Sequence, residues 1–179
     1  MTTDAYERPG WSAWALGIAE AVSLRGDCTR RRVGAVLLDS QHRIFGSGYN
    51  GTEPGGKSCL EGDCPRGRHF EYGANSKWEK SGDALLECRC GNPWPCSEAV
   101  PPGSSYDTGP GICIASHAEI NALMDVEARY RLDGASMYVT EEPCGGCAKI
   151  IKNSTKIVQI VWPDGVIELD RKEFVYYTE

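Results

Sequence analysis

No apolar run in this 179-residue chain approaches the roughly 20 residues that cross a bilayer, so no membrane span is expected. The opening MTTDAYERPG lacks a basic region followed by a short apolar stretch, so no secretion signal is read and a cytoplasmic location is expected. Positive charge is in short supply: 19 Lys and Arg stand against 25 Asp and Glu, for a net charge of -6. Polymer binding draws most of its affinity from clustered cations, so a nucleic-acid strand is disfavoured as partner and a small substrate is favoured. Internal repeats and low-complexity tracts are also missing.

What is present is a chain 41% hydrophobic and 25% charged, the composition of one globular domain over residues 1–179 with a core that needs no covalent staple. Nine cysteines are nevertheless here. An odd number cannot pair off internally, and cytosolic thiols are held reduced, so metal ligation leads over disulfide bonding.

Along the chain, residues 11–25 space Trp14, Ile18, Ala21, Val22 and Leu24 as an amphipathic helix would, ahead of the break at Gly26. RVGAVLLD and HRIFGSGYNG read as two strands joined through a turn at residues 39–42, the first apolar enough to be buried on both faces. A Gly-, Pro- and Cys-rich insertion follows over about residues 52–112, with a weak helical signal near 74–86. A connection of that length inside a compact domain needs something to pin it. Periodicity returns in SHAEINALMDVEARYRL, a helix capped by Ser116 with Ile120, Leu123, Met124 and Ala128 on one stripe. ASMYVTEE reads as a strand, CGGCAKIIKN as a helix and TKIVQIVW as a strand, while VIELDRKEFVYYTE fits a strand or a short helix equally. Helices alternating with apolar strands imply a layered α/β fold with its site at the strand ends.

The chemistry concentrates in two helix starts. Cys144 and Cys147 lie three residues apart after Pro143, where the positive end of a helix favours thiolates able to grip one Zn²⁺. His117 from the other helix would make a third ligand, leaving a fourth tetrahedral position for water, the arrangement of a catalytic zinc. Glu119, two residues beyond His117, is placed to take that water's proton and pass protons to a ring nitrogen and a leaving amine. Taken alone, a Cys-x-x-Cys pair is commonly a redox couple or half of a structural zinc site, and a lone His ahead of a helix a polar cap. The two halves together carry the signal. His-x-Glu followed by Pro-Cys-x-x-Cys is the signature of the zinc nucleobase deaminases.

With SLRGDCTRRRVGAVLLD, SGYNGTEPGGKSC, HAEINAL, GASMYVTEEPCGGCAKII and IVQIVW, the chain resembles the cytidine and deoxycytidylate deaminase superfamily, most of all the deoxycytidylate (dCMP) deaminases, those of phages included. The resemblance implies a three-layer fold with a mixed sheet of about five strands between helices, and hydrolysis of dCMP to dUMP and ammonia. It makes His117, Cys144 and Cys147 zinc ligands and Glu119 the proton shuttle. It assigns Asn50 to the sugar, Ala118 to the pyrimidine through its N–H, Asn121 to the substrate site and Tyr138 to the base pocket, where ordinary strand packing competes for Tyr138. It also implies a homo-oligomer, a hexamer, with dCTP and dTTP as effectors, Mg²⁺ accompanying dCTP, and a host cytoplasm if phage-encoded. Arg25, Arg30, Arg31, Arg32 and Lys57 are the cations near enough in sequence to meet a monophosphate, or simply form a solvated basic turn.

Several phage and bacterial members carry a second zinc, and the resemblance places Cys28, Cys59, Cys64 and Cys113 in that closed structural site. Cys88, Cys90 and Cys96 remain, and with His69 they would complete a third, leaving only His42 outside the ledger. Their spacings are irregular for paired zinc ligands, so free thiols are the alternative. Two other functions stay open: a tRNA or single-strand nucleobase deaminase, suggested by HAEINAL and YVTEEPC, and a non-catalytic zinc scaffold that binds nucleotides.

Overall fold

A computed structural model describes residues 7–61, 63–64 and 113–169. The helical signal at 74–86, the residues His69, Cys88, Cys90 and Cys96, and the end of the tail lie outside the described residues. The described parts of Met1–Gly26, Val33–Tyr49 and His117–Glu179 form one compact unit, and those of Asp27–Arg32 and Asn50–Ser116 a second.

In the first unit the order is α1 (Trp11–Ser23), β1 (Gly34–Leu38), β2 (Ile44–Tyr49), α2 (Ala118–Met124), a 3-10 turn (Arg129–Leu132), β3 (Ser136–Val139), α3 (Gly145–Ser154), β4 (Gln159–Trp162) and β5 (Gly165–Glu168). The strands make one five-stranded sheet in the order β2-β1-β3-β4-β5. Only β3 and β4 pair in parallel, the pair whose connection contains α3, as a parallel pair requires a crossover. The undecided tail begins as β5, an antiparallel hairpin partner of β4.

Strand alternation divides the core into two layers. Ala35, Leu37, Met137, Val139 and Ile160 face one side, with Ala118 and Ala122 of α2 and Ile151 of α3. Val36, Leu38 and Tyr138 face the other, against Ala15 and Ala19 of α1. All five residues of β1 are buried, which agrees with its unbroken apolar sequence: a strand covered on both faces has no polar side to show.

The helix stripes differ from the expected ones. In α1 the deeply buried positions are Ala15 and Ala19, while Trp14 is partly exposed and Leu24 is 71% exposed. Small residues win because the helix lies close on the sheet; a Cβ at Gly34 would strike the Ala19 carbonyl oxygen. In α2 the buried positions are Ala118, Glu119 and Ala122, and Met124 is 80% exposed. This helix is capped by His117 instead of Ser116, without a side-chain cap bond, and stops at Met124; Ala128 lies beyond it. In the β1–β2 turn, Asp39 accepts from the N–H groups of Gln41 and Arg43, and His42 takes φ 60. The His42 ring stacks on Trp11 at 4.2 Å.

Gly46 and Gly48 explain how α2 sits so close to β2. A Cβ on Gly48 would overlap the Ala122 nitrogen and the Ala118 carbonyl oxygen, backbone that no rotamer change can move aside. Gly48→Ala is therefore expected to destabilise the fold by about 1–3 kcal/mol, the usual range for overpacking. A thermal melt should show the midpoint falling about 2–4 °C per kcal/mol.

Candidate metal centre and active site

α2 and α3 both lie on the same sheet face, and their first residues carry the chemistry. Cys144 is the N-cap of α3, and its sulfur accepts from the Cys147 N–H at 3.4 Å, so the helix start itself orients the first thiol. Cys147 is buried on the first turn, and His117 is the N-cap of α2. The His117 Nδ1 lies 3.5 Å from Cys144 Sγ and 3.3 Å from Cys147 Sγ. Metal–sulfur bonds of ~2.3 Å and a metal–nitrogen bond of ~2.0 Å at a tetrahedral angle separate N from S by about 3.5 Å, so the three atoms fit one zinc ion with Nδ1 as the imidazole donor. Among the described residues, no other group of three or more His, Cys, Asp or Glu has its ligand atoms all within 4.8 Å of one another.

Glu119 is 4% exposed and makes a side-chain hydrogen bond with Cys147. Burial raises its pKa above the ordinary carboxylate value, opposed by a bond from its own backbone N–H, the His117 charge and the Cys147 bond. Burial likewise pushes the Cys147 thiol up, and the Glu119 and Cys144 charges add to it. A divalent cation reverses that balance: it favours the thiolate and expels the thiol proton. The arrangement is three donor atoms spaced to hold one metal ion, with a buried carboxyl beside them.

The other expected residues distribute as follows. Ala118 is the first residue of α2, so its N–H has no carbonyl of its own helix behind it. The side-chain N–H of Asn121 donates to the Tyr49 carbonyl at 2.8 Å. Tyr138 takes the strand-packing alternative in its surroundings. It is 2% exposed in the layer under α1, on the face opposite α2 and α3, because its neighbours Met137 and Val139 take the site-side parity.

In the second unit, Asn50 is buried and its amide donates to the Arg31 carbonyl at 2.9 Å. The four cysteines expected in a structural site also gather in this unit: Cys64 hydrogen-bonds with both Cys59 and Cys113, and Cys28 is near enough to act on each electrostatically. Hydrogen bonding to Cys64 and burial push the Cys59 and Cys113 thiols up. Two residues went unnoticed in sequence reasoning: Asp27, whose Oδ2 accepts from the Cys59 N–H, and Asp125, whose Oδ2 accepts from the Ser47 N–H. The adjacent Gly-Asp in RGDC hinted at the first; nothing local marks the second.

A mixed sheet layered with helices, bearing a His-Cys-Cys set and a buried glutamate at two helix starts, defines a zinc-type hydrolytic deaminase. The family profile described as the cytidine and deoxycytidylate deaminase zinc-binding region matches residues 9–163, and the chain belongs to that family. It is 37% identical over 156 residues to the deoxycytidylate deaminase of Mycobacterium phage D29, covering 87% of this chain and 96% of that one. To the deoxycytidylate deaminase of Schizosaccharomyces pombe it is 30% identical over 171 residues, 96% of this chain but 38% of the yeast protein. Among solved structures, the dCMP deaminase from the cyanophage S-TIM5 in complex with dCMP and dUMP aligns with TM-score 0.51 and 20% identity over 88% of this chain and 83% of that one, a likeness of fold.

Cys147→Ala removes one of the three donors while leaving Cys144 and His117. The variant is expected to lose one equivalent of bound zinc relative to wild type, read by atomic emission on purified protein.

Proposed function

We propose that the chain hydrolyses dCMP to dUMP and ammonia, with zinc as the resident metal. The observation that carries this reading is His117 Nδ1 standing 3.3 and 3.5 Å from two cysteine sulfurs while the Glu119 carboxyl bonds one of them. The deoxycytidylate as substrate is favoured by the D29 relative, which matches over nearly its whole length.

Zinc held by His117, Cys144 and Cys147 would supply Lewis acidity that lowers the pKa of water toward neutrality. Glu119 accepts the proton released from that water and donates it to the pyrimidine N3. As the water oxygen bonds to C4, its remaining proton passes through the same carboxyl to the exocyclic amine, the C4–N bond breaks to release ammonia, and C4 becomes the carbonyl of uracil. Burial suits Glu119 to both directions of transfer, since a raised pKa brings it nearer the operating pH. The Ala118 N–H, at the start of α2, is assigned to the pyrimidine on the family resemblance. Asn50 is assigned to the sugar on the family resemblance.

A structural zinc at Cys28, Cys59, Cys64 and Cys113 accompanies this reading. Its support is the gathering of thiols around Cys64 and the buried Asp27 Oδ1, which has no hydrogen-bond partner beside them. A buried carboxylate oxygen without a donor is costly unless a cation or water meets it. A cytoplasmic homo-oligomer, hexameric and regulated by dCTP with Mg²⁺ and by dTTP, follows from the resemblance as part of the same proposal. No helix among the described residues is long and apolar enough to cross a membrane.

Incubation with dCMP, dCTP, deoxycytidine and a tRNA anticodon stem-loop, followed by the loss of cytosine absorbance and by nucleoside analysis, tests the substrate. Turnover of dCMP is expected; activity on the stem-loop alone would sink the proposal. Glu119→Gln should lower kcat by about 10²–10⁴-fold, the usual worth of a general acid–base group, with zinc content unchanged. Full activity in that variant would point to another proton shuttle, and the absence of activity in wild type to a scaffold. Cys59→Ser is expected to remove one zinc equivalent and lower the thermal midpoint while leaving a second zinc bound.

A further inference from the structure

Helix α2 has seven residues, fewer than an isolated helix needs to hold its shape, yet it carries both His117 and Glu119. Its placement must come from outside itself. β2 is an edge strand of the sheet, and two of its backbone groups are taken by side chains of α2. The Asn121 amide donates to the Tyr49 carbonyl at 2.8 Å, and the Asp125 carboxylate accepts from the Ser47 N–H at 3.1 Å. These two side chains stand four residues apart on one flank of the helix and grip residues two apart on the strand, so they share a face of each element. Between the two grips, Gly48 lets the backbones of Ala118 and Ala122 rest directly on the strand.

Asn121 has a second tie. Its backbone N–H donates to the His117 carbonyl at 3.0 Å, the bond that closes the first turn of α2. One residue thus joins the metal-ligand residue to the strand: main chain to His117, side chain to Tyr49.

We propose that Asn121 is a positioning residue for the metal centre, assisted by Asp125, and that the clamp sets the height and rotation at which α2 presents His117 and Glu119 to Cys144 and Cys147. This departs from the substrate contact that its place in HAEINA suggests. The inference rests on the deaminase reading for its kinetic consequences, but its geometric consequence does not.

Three measurements on zinc-loaded and cobalt-substituted full-length protein decide it: the cobalt ligand-field spectrum, steady-state kinetics with dCMP, and the thermal midpoint. Asn121→Asp is nearly isosteric but sets a carboxylate oxygen against the Tyr49 carbonyl; Asn121→Ser is too short to reach it and repeats the comparison if the first variant does not fold. Both are expected to shift and weaken the cobalt bands and to lower kcat at least tenfold, with KM for dCMP within twofold of wild type. Asp125→Asn keeps an acceptor for Ser47 and should restore the wild-type spectrum and kcat, whereas Asp125→Ala should move both in the Asn121 direction. A tenfold rise in KM with kcat and spectrum unchanged in the Asn121 variants overturns the proposal and returns Asn121 to the substrate. If wild type does not turn over dCMP, the deaminase reading fails, while the cobalt spectra still report whether Asn121 positions the ligands.

Discussion

Everything at the site depends on bringing one ring nitrogen to 3.3 and 3.5 Å from two sulfurs carried by a segment more than 25 residues further along the chain. The sheet order makes this feasible. β2, beneath α2, and β3, which leads into α3, both flank β1, so they lie two strand spacings apart, about 10 Å. That is also the ordinary separation of packed helices, and the gap between two helix starts at that distance is one that a histidine and two cysteines can close. The small residues of α2 and the glycines of β2 serve the same end by seating the helix without intervening side chains.

The electrostatics follow from this closeness. Glu119 and Cys147 are both buried and bonded to each other, and each is held toward its neutral form by lost hydration. Such a pair is poor as a bare structural element and apt as a place for a cation and a transferable proton. The second unit repeats part of the pattern: Cys59, Cys64 and Cys113 crowd their thiols, and Asp27 leaves a buried oxygen beside them. In both units, burial makes charge expensive in a way that a metal ion offsets.

Much of this was legible in one dimension. The strands β1 to β4 and the start of α3 came through apolar runs and the Pro-Cys-x-x-Cys punctuation, because those signals are local. The helical stripes came through only in part: Ile18, Val22 and Leu123 pack against the core. Trp14, Leu24 and Met124 fit an amphipathic count but are exposed, since the buried faces of α1 and α2 are alanine faces pressed close to the sheet. A hydrophobicity pattern favours large side chains and cannot register that a backbone lies too near to admit them. Tyr138 is a related case: alternation fixes that it opposes Met137, yet which face meets α1 depends on a packing no window of residues contains.

The amino-acid sequence by itself determined which groups could form the proposed metal set and proton carrier, because these are residue types at short spacings on two helix starts. Only the tertiary structure decided that Asn121 turns to Tyr49, that Asp125 takes the Ser47 N–H, and that Cys28, Cys59, Cys64 and Cys113 gather in one unit. Those facts rest on bonds between atoms far apart in the chain. Their direction is set by which backbone groups an edge strand leaves open and by how closely a helix can lie upon glycine.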